Sequence, residues 1–472
     1  MATEFLDIKR LSNVYRSNRL NDFCDVEKRP NELQVREQAS RCMSCGIPFC
    51  HGYGCPLGNA IPEVNAAVSR GDFVSAYNLL SETSPFPEFT SRICPALCES
   101  ACTAGISSGA ITVKQIEFFA IEKAFELGIV KPFIHHKKTG KRIAIIGAGP
   151  AGLSAAHFLN GYGHEVAIFE KKDFAGGLLR YGIPNFKLEK DVIERRISLM
   201  REAGIIFEFG TDVGTDISGL YLKNKFDAVC LCIGSEVPRD LNIEGRSLNG
   251  IYFALDFLQS QNRASSSEIP KTEISAKNKK VLIIGGGDTG SDCLGTALRQ
   301  GAESAIQIEI MPEPPIERHT STPWPQWEYK KRTSSSHLEG GKRMWSVLTK
   351  SFKGDKSGAL KKVIVAKVEW SFDSFGRPIK FREIEGSEFE ISADIVLLSM
   401  GFTGVASEML IKEFKLPLNK CGSIECNADF ETEFPKVFSC GDATLGASLV
   451  VKSIASGKTM AAAVNKYLNS KI

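Results

Sequence analysis

Apolar positions recur at helical spacing over the first 135 residues. Ile61 to Leu80 and Thr112 to Leu127 read as helices, and no run in this segment alternates as a strand does. A basic stretch, His135 to Arg142, then gives way to a different pattern. Ile143-Ala144-Ile145-Ile146 is a continuous apolar run of the kind carried by a strand buried on both faces, and it stops at a glycine-rich turn. Val281-Leu282-Ile283-Ile284 does the same. Further short apolar strands are expected at Val166 to Phe169, Val229 to Ile233 and Val437 to Phe438, and a helix from about Leu449. Gln261 to Lys280, rich in Ser, Lys and Glu with one proline, predicts a surface loop at a domain crossing. No solenoid repeat is present. The one internal echo is a strand, glycine loop and helix used twice.

Composition narrows the class. A chain of 472 residues holds two to four domains. With 43% hydrophobic and 24% charged residues it is ordinary globular material, and a formal charge of +3 does not advertise a nucleic-acid partner. No run approaches the roughly 18 apolar residues of a membrane span, and the start Met1-Ala2-Thr3-Glu4 lacks secretory features. A cytoplasmic location without membrane attachment is expected. In a reducing compartment clustered cysteines are metal ligands rather than disulfides.

Seven of the 14 cysteines form two spaced groups: Cys42, Cys45, Cys50 and Cys55, then Cys94, Cys98 and Cys102. Zinc is the rival metal, but only Cys42 and Cys45 make a CxxC pair. Cys55-Pro56 and Cys94-Pro95 show the Cys-Pro ending of iron-sulfur runs, in which the cysteine before proline serves the other cluster. Two 4Fe-4S clusters need eight ligands, one more than the cysteines supply. Glu117 and Gln115 are the nearest oxygen donors past Cys102, with Glu122 more distant; the competing role for such a carboxylate is a solvated helix face.

The glycine loops carry the remaining chemistry. Gly147-Ala148-Gly149-Pro150-Ala151-Gly152 follows a strand and opens a helix, and Glu170 ends the next strand 23 residues after Gly147, placed to accept from ribose hydroxyls. Gly285-Gly286-Gly287-Asp288-Thr289-Gly290 repeats the arrangement. Two such units imply two dinucleotides, and the usual reason is a flavin that accepts hydride from a nicotinamide. Gly441-Asp442, after an apolar strand and before a helix, is similar to the second flavin motif of two-dinucleotide flavoproteins; the competing role for Asp442 is a helix N-cap. Its distance from Gly147 implies a flavin domain split by an inserted nicotinamide domain. The expected limits are 1–135 for a helical iron-sulfur domain, 141–277 and 403–472 for the two parts of the FAD domain, and 278–402 for the NADPH domain. The fold class is therefore α/β, two Rossmann-like domains behind a helical one. Glu309, 24 residues after Gly285, favours NADH, whereas Arg318 and Lys330-Lys331-Arg332 are placed to reach a 2'-phosphate; NADPH is the expected donor.

The run from Cys42 to Asn59, Gly285 to Cys293, Pro323-Trp324-Pro325-Gln326-Trp327 and Ser334 to Gly341 together resemble the small (beta) subunits of bacterial glutamate synthases, over almost the whole chain. The Pro-Trp-Pro stretch and the glycine motifs are distinct from those of the related N-terminal region of dihydropyrimidine dehydrogenase. The resemblance implies an electron-input subunit that passes hydride from NADPH to FAD. Electrons then leave through two clusters to a large (alpha) subunit, in a hetero-oligomer that makes glutamate from glutamine and 2-oxoglutarate. It also implies the ligand sets: Cys42, Cys45, Cys50 and Cys102 for one cluster, and Cys55, Cys94, Cys98 and Glu117 for the other, where the relatives place Gln. The alternatives are a similar subunit serving a pyrimidine or ferredoxin reductase, or a non-catalytic assembly subunit.

The chain offers no N-terminal cysteine nucleophile, so glutamine hydrolysis is expected of a partner. No acid-base residue is required in hydride transfer between aligned partners. Cys230 and Cys232 are expected as core. Cys440 has no second cysteine two or three residues away, which argues against a dithiol mechanism; Trp324, Trp327 and Trp345 are expected to pack.

Overall fold

The computed structural model describes residues 8–135 and 137–470; the polar start Met1 to Glu4 and His136 of the basic linker lie outside the described residues. The N-terminal segment is helical, with Glu32–Ser40, Ile61–Arg70, Phe73–Ser81, Pro87–Ile93 and Val113–Glu126 as its main elements. Asn31 opens the first through a capping box with Gln34. The helix expected over 61–80 is two helices. Gly71 takes φ +78°, where the left-handed backbone ends the first, and the Asp72 carboxylate accepts from the Ser75 N–H to begin the second. Val14–Tyr15 and Glu27–Lys28 pair antiparallel, too short to have shown as alternation.

Two five-stranded parallel sheets follow. The first runs Val437–Ser439, Ala228–Leu231, Arg142–Ile146, Glu165–Glu170, Ile206–Phe209. Its edge strand comes from the far end of the sequence, so the unit is split. The second runs Lys342–Met344, Ser304–Ile308, Lys280–Ile284, Ile395–Leu398, Ile251–Phe253. Ile251–Phe253 pairs with Ile395–Leu398, so it and the helix Ala254–Ser265 belong to the inserted unit although they precede residue 278. An apolar run of three residues is too short to announce a strand.

A four-stranded antiparallel sheet between residues 347 and 392 was not foreseen. Its Phe352, Val363, Val365 and Ile391 pack on Leu282, Ile284 and Val396, covering one face of the second parallel sheet. Helices Ala254–Ser265 and Asp288–Arg299 cover the other through Phe257, Leu258 and Leu294. Parallel sheets need both faces covered, and these two layers supply it.

The helical segment is sewn to both units. Leu57, Phe86 and Phe89 share a core with Ile143, Ile145 and Ile168 of the first sheet. Glu88 and Arg196 form a buried two-pronged ion pair between helices Pro87–Ile93 and Lys190–Glu202. Glu339, beside the second sheet, binds both Arg299 and Arg19 of the N-terminal segment.

Candidate functional site

The cysteines sort into the two expected sets. Cys42, Cys45, Cys50 and Cys102 line one small pocket, and Cys55, Cys94, Cys98 and Glu117 line another. Local structure explains the crossing. Cys50 opens a single wide turn, Cys50–Gly54, that delivers Cys55 to the opposite side, while Leu97–Ser100 carries Cys98 and turns Cys102 back. Among the described residues no three His, Cys, Asp or Glu side chains are placed to hold one metal ion. A soft, thiolate-rich donor set of this kind suits an iron-sulfur cluster.

Of Glu117, Gln115 and Glu122, Glu117 is the one that lines the second pocket. Its carboxylate accepts from Asn59 Nδ2 at 2.9 Å, and burial raises it to about 7. Asn59 is a supporting residue that the sequence offered only as the last residue of the Cys-Pro-Leu-Gly-Asn run; its own amide oxygen accepts from Thr83. Gln115 is buried and donates to Asn13, and Glu122 is committed to Arg92 and Arg195. Burial pushes the Cys50 and Cys94 thiols up to about 12, so loading iron must expel protons.

The first glycine loop behaves as a dinucleotide loop should. Gly147 takes φ +100°, and a Cβ there would lie 2.5 Å from the Cys232 carbonyl oxygen. Gly149 is the N-cap of helix Pro150–Gly161, and Gly152 lies inside that helix. Glu170 is buried, and its two oxygens accept from the N–H groups of Ala148 at 2.8 Å and Lys172 at 2.9 Å. Gly441 precedes the four-residue helix Asp442–Leu445 as its cap residue. Asp442 is no N-cap: its carboxylate accepts from Ser448 at 2.6 Å and Ser453 at 2.8 Å.

The second loop has the same construction. Gly285 takes φ +125°, Gly287 caps helix Asp288–Arg299, and Thr289 and Gly290 lie in its first turn. Glu309 accepts from the Gly286 N–H at 2.6 Å and from the Met311 N–H at 3.0 Å, as Glu170 does in the first unit. Gln307 donates to the Gly285 carbonyl and is met by His337 Nε2, tying the Ser334 to His337 turn to the loop. Arg318 does not join this site. Its guanidinium donates to the carbonyls of Thr322 and Gln326 and, across to the helical segment, to Ser100. Backbone acceptors in its own loop hold it away from the nucleotide side. Of the basic residues considered for a phosphate, Arg332 is the one that lines the cleft; its guanidinium lies over Trp327.

Residues of both dinucleotide units open on one cleft of about 640 Å³. Gly147, Gly149, Glu170 and Asp442 line it from the first unit, Asp288 and Thr289 from the second, and Cys94 and Pro95 from the helical segment. Cys94 also lines the second cysteine pocket, so that pocket borders the cleft. Cys232 and Cys440 bring their sulfurs to 3.5 Å beneath the first loop, a pairing of neighbouring strand ends 208 residues apart. Trp324 packs on Phe49, which lines the other cysteine pocket.

The fold and site define an iron-sulfur flavoprotein of the two-dinucleotide class. The family model for pyridine nucleotide-disulphide oxidoreductases matches residues 141–457, and that for dihydropyrimidine dehydrogenase domain II, 4Fe-4S cluster, matches residues 19–129. The chain is 47% identical to the Glutamate synthase [NADPH] small chain of Mycobacterium tuberculosis H37Rv, over 95% of this chain and 92% of that one. It is 41% identical to the protein of that name in Bacillus subtilis 168, over 99% and 98%. Glutamate synthase [NADH] of Saccharomyces cerevisiae is 40% identical over 98% of this chain and 22% of that much longer protein. The solved structure of Mycobacterium tuberculosis FprA in complex with NADPH shares the fold, with TM-score 0.55 at 18% identity over 70% of this chain and 85% of that one. The chain belongs to the glutamate synthase small chain family. It is an electron-input oxidoreductase that uses FAD, a nicotinamide dinucleotide and 4Fe-4S clusters, and a small chain implies a large-chain partner. No helix among the described residues is long and apolar enough to cross a membrane.

Proposed function

We propose that this protein oxidises NADPH and delivers the electrons, one at a time, to a glutamate synthase large subunit that forms glutamate from glutamine and 2-oxoglutarate, in a cytoplasmic hetero-oligomer. The observation that carries the proposal is the single cleft lined by both dinucleotide units and by Cys94. Bound FAD supplies the conversion of a hydride into single electrons, and 4Fe-4S clusters supply their one-electron carriage.

The chain's own residues bind, orient and insulate. Gly147, Gly149 and the N-terminus of helix Pro150–Gly161 present backbone N–H groups to the flavin's pyrophosphate, with Gly152 allowing close helix packing. Glu170, fixed by two loop N–H bonds, keeps lone pairs for ribose hydroxyls. Asp442, oriented by Ser448 and Ser453 beyond Gly441, is assigned to the ribityl chain. Gly285, Gly287 and Gly290 of the second loop, with Asp288 and Thr289 at the cleft, would hold the nicotinamide dinucleotide, and Arg332 would take the phosphate role expected of Arg318. Glu309, held by the Gly286 and Met311 N–H groups as Glu170 is held in the first unit, is the feature that favours NADH, and Arg332 at the cleft is the one that favours NADPH. The Cys55, Cys94, Cys98 and Glu117 set, which borders the cleft, would hold the cluster nearer the flavin and the Cys42, Cys45, Cys50 and Cys102 set the farther one. The inserted unit is taken to begin before Ile251, at the strand it contributes to the second sheet.

The test is anaerobic purification with iron, sulfide and FAD counted, followed by parallel NADPH and NADH titration and mixing with a large subunit. About eight irons and one FAD, faster bleaching by NADPH, and NADPH oxidation that requires glutamine and 2-oxoglutarate are expected. Zinc in place of iron, no flavin, or oxidation indifferent to the large subunit would overturn the proposal.

A further inference from the structure

Arg41 ends the helix Glu32–Ser40 and directly precedes Cys42, yet its side chain is only 1% exposed. Nη2 donates to the carbonyls of Ser108 at 2.7 Å and Gly109 at 2.8 Å, and Nη1 reaches Ala110 and Gln38. These acceptors are all neutral. Among the described residues no carboxylate pairs with Arg41, and its buried Nε has no partner. Buried guanidinium groups are ordinarily paired with an anion, because an uncompensated charge is costly to bury.

The position of Arg41 identifies the missing anion. Residues 108–110 form the loop that leaves Cys102 through Thr103–Ile106, so the guanidinium ties the residue before Cys42 to the loop that follows Cys102. Arg10, which shares the Ala110 carbonyl with Arg41, is itself bound to Glu99. A 4Fe-4S cluster held by four thiolates is anionic, and more so when reduced. Reduction potential depends on local net charge and solvent exposure. The cations near the other set, Lys114 and Lys458, are only partly buried and donate to the carbonyls of Arg92 and Thr83. Water screens them more than it screens Arg41.

We infer that Arg41 is the fixed counter-charge of the cluster at Cys42, Cys45, Cys50 and Cys102 and holds its potential above that of the cluster at Cys55, Cys94, Cys98 and Glu117. Electrons entering beside the flavin then run downhill, away from the cleft. This rests on the cluster assignments proposed above. Arg41 touches no reacting atom and is a positioning residue in the electrostatic sense.

The test is an anaerobic EPR redox titration of wild-type, Arg41→Gln and Arg41→Lys holoprotein, with iron counted in each. In Arg41→Gln one cluster should become harder to reduce by about tenfold or more in its reduced-to-oxidised ratio, about 59 mV for a one-electron couple. The other cluster and the flavin should hold, and Arg41→Lys should stay close to wild type. Loss of one cluster's iron from Arg41→Gln but not from Arg41→Lys would also support the counter-charge. Fully loaded Arg41→Gln with unchanged midpoints, an equal shift of both clusters, or iron loss from both variants would overturn it. Wild-type protein without cluster iron would instead remove the cluster assignments, a separately visible result.

Discussion

Glu88 is fully buried and Arg196 is 5% exposed, and they meet through Nε to Oε1 at 2.5 Å and Nη2 to Oε2 at 3.1 Å. Their helices belong to different units, and the Glu88 helix ends at Cys94. Glu88→Gln keeps the shape but removes the negative charge, leaving a buried guanidinium uncompensated. Breaking a buried pair from one side costs about 3–5 kcal/mol. The lower end applies here, because the amide oxygen still accepts one hydrogen bond. Arg196→Met should cost a similar amount by stranding the carboxylate. The double variant buries neither charge, so it should be more stable than the sum of the singles predicts, with a coupling of about 3 kcal/mol. Urea unfolding followed in parallel by helical circular dichroism and flavin absorbance measures this and shows whether the units separate in distinct steps. Single variants costing less than about 1 kcal/mol, the range of exposed pairs, or an additive double variant, would refute the reasoning.

Other outcomes follow from the loops and from one histidine. Glu170→Ala leaves the Ala148 N–H without its acceptor, which costs about 1–3 kcal/mol; FAD should bind roughly 5- to 150-fold more weakly, read from flavin released on dilution, and unchanged retention would contradict the role. Gly147→Ala places a methyl 2.5 Å from a carbonyl oxygen and should yield protein with iron but little flavin. Gly285→Ala, whose methyl would meet the Ser399 carbonyl at 2.3 Å, should stay yellow yet fail to bleach with NADPH; bleaching at the wild-type rate would count against the second loop's assignment. His157 stacks on Phe133 and abuts Phe86 and Phe158, and burial lowers it to about 3 from its ordinary 6.5. The folded state therefore holds the ring neutral while the unfolded state protonates it below about pH 6.5. Its stabilising share is complete above that pH and shrinks on acidification by up to about 1.4 kcal/mol per unit. His157→Phe should flatten stability between about pH 6.5 and 4, and an unchanged acid limb in urea midpoints would count against it.

How much of this was legible depended on how local the physics is. Strand, glycine turn, helix and acid sit within about 25 residues and answer to one requirement, close backbone approach to a phosphate, so both nucleotide units could be read directly. The cysteine sets came from the family resemblance, and the Cys-Pro endings, which mark a crossing of ligands between clusters, agree with them. Glu117 could not be separated from Gln115 by pattern, since both are buried on one helix; Asn59 and the pocket distinguish them. Arg318 misled because a charge in a long loop says nothing about which carbonyls will capture it. Ile251–Phe253 was too short to declare itself, and its parallel partner lies more than 140 residues away. Cys440 was judged from near neighbours in sequence, whereas its sulfur partner Cys232 is its neighbour across parallel strands.

The two cysteine pockets share one hydrophobic core, but only the second also leans on the flavin unit. Cys102, with Cys42, Cys50, Cys55 and Cys98 against it, belongs to the core of the helical segment, with Val35, Ile61 and Ile116. Cys55 and Cys94 pack also against the flavin unit's own core, where Leu57, Phe86 and Phe89 of the helical segment meet Ile143 and Ile145, and Val451 of the last flavin-unit helix lines the second pocket. Displacing the helical segment from the flavin unit would strip that pocket of a wall while leaving the other set's core whole. The second pocket is therefore a property of the joined units. Its border on the cleft through Cys94 follows from the same packing, and the buried Glu88–Arg196 pair ties the two units together along the helix that ends at Cys94.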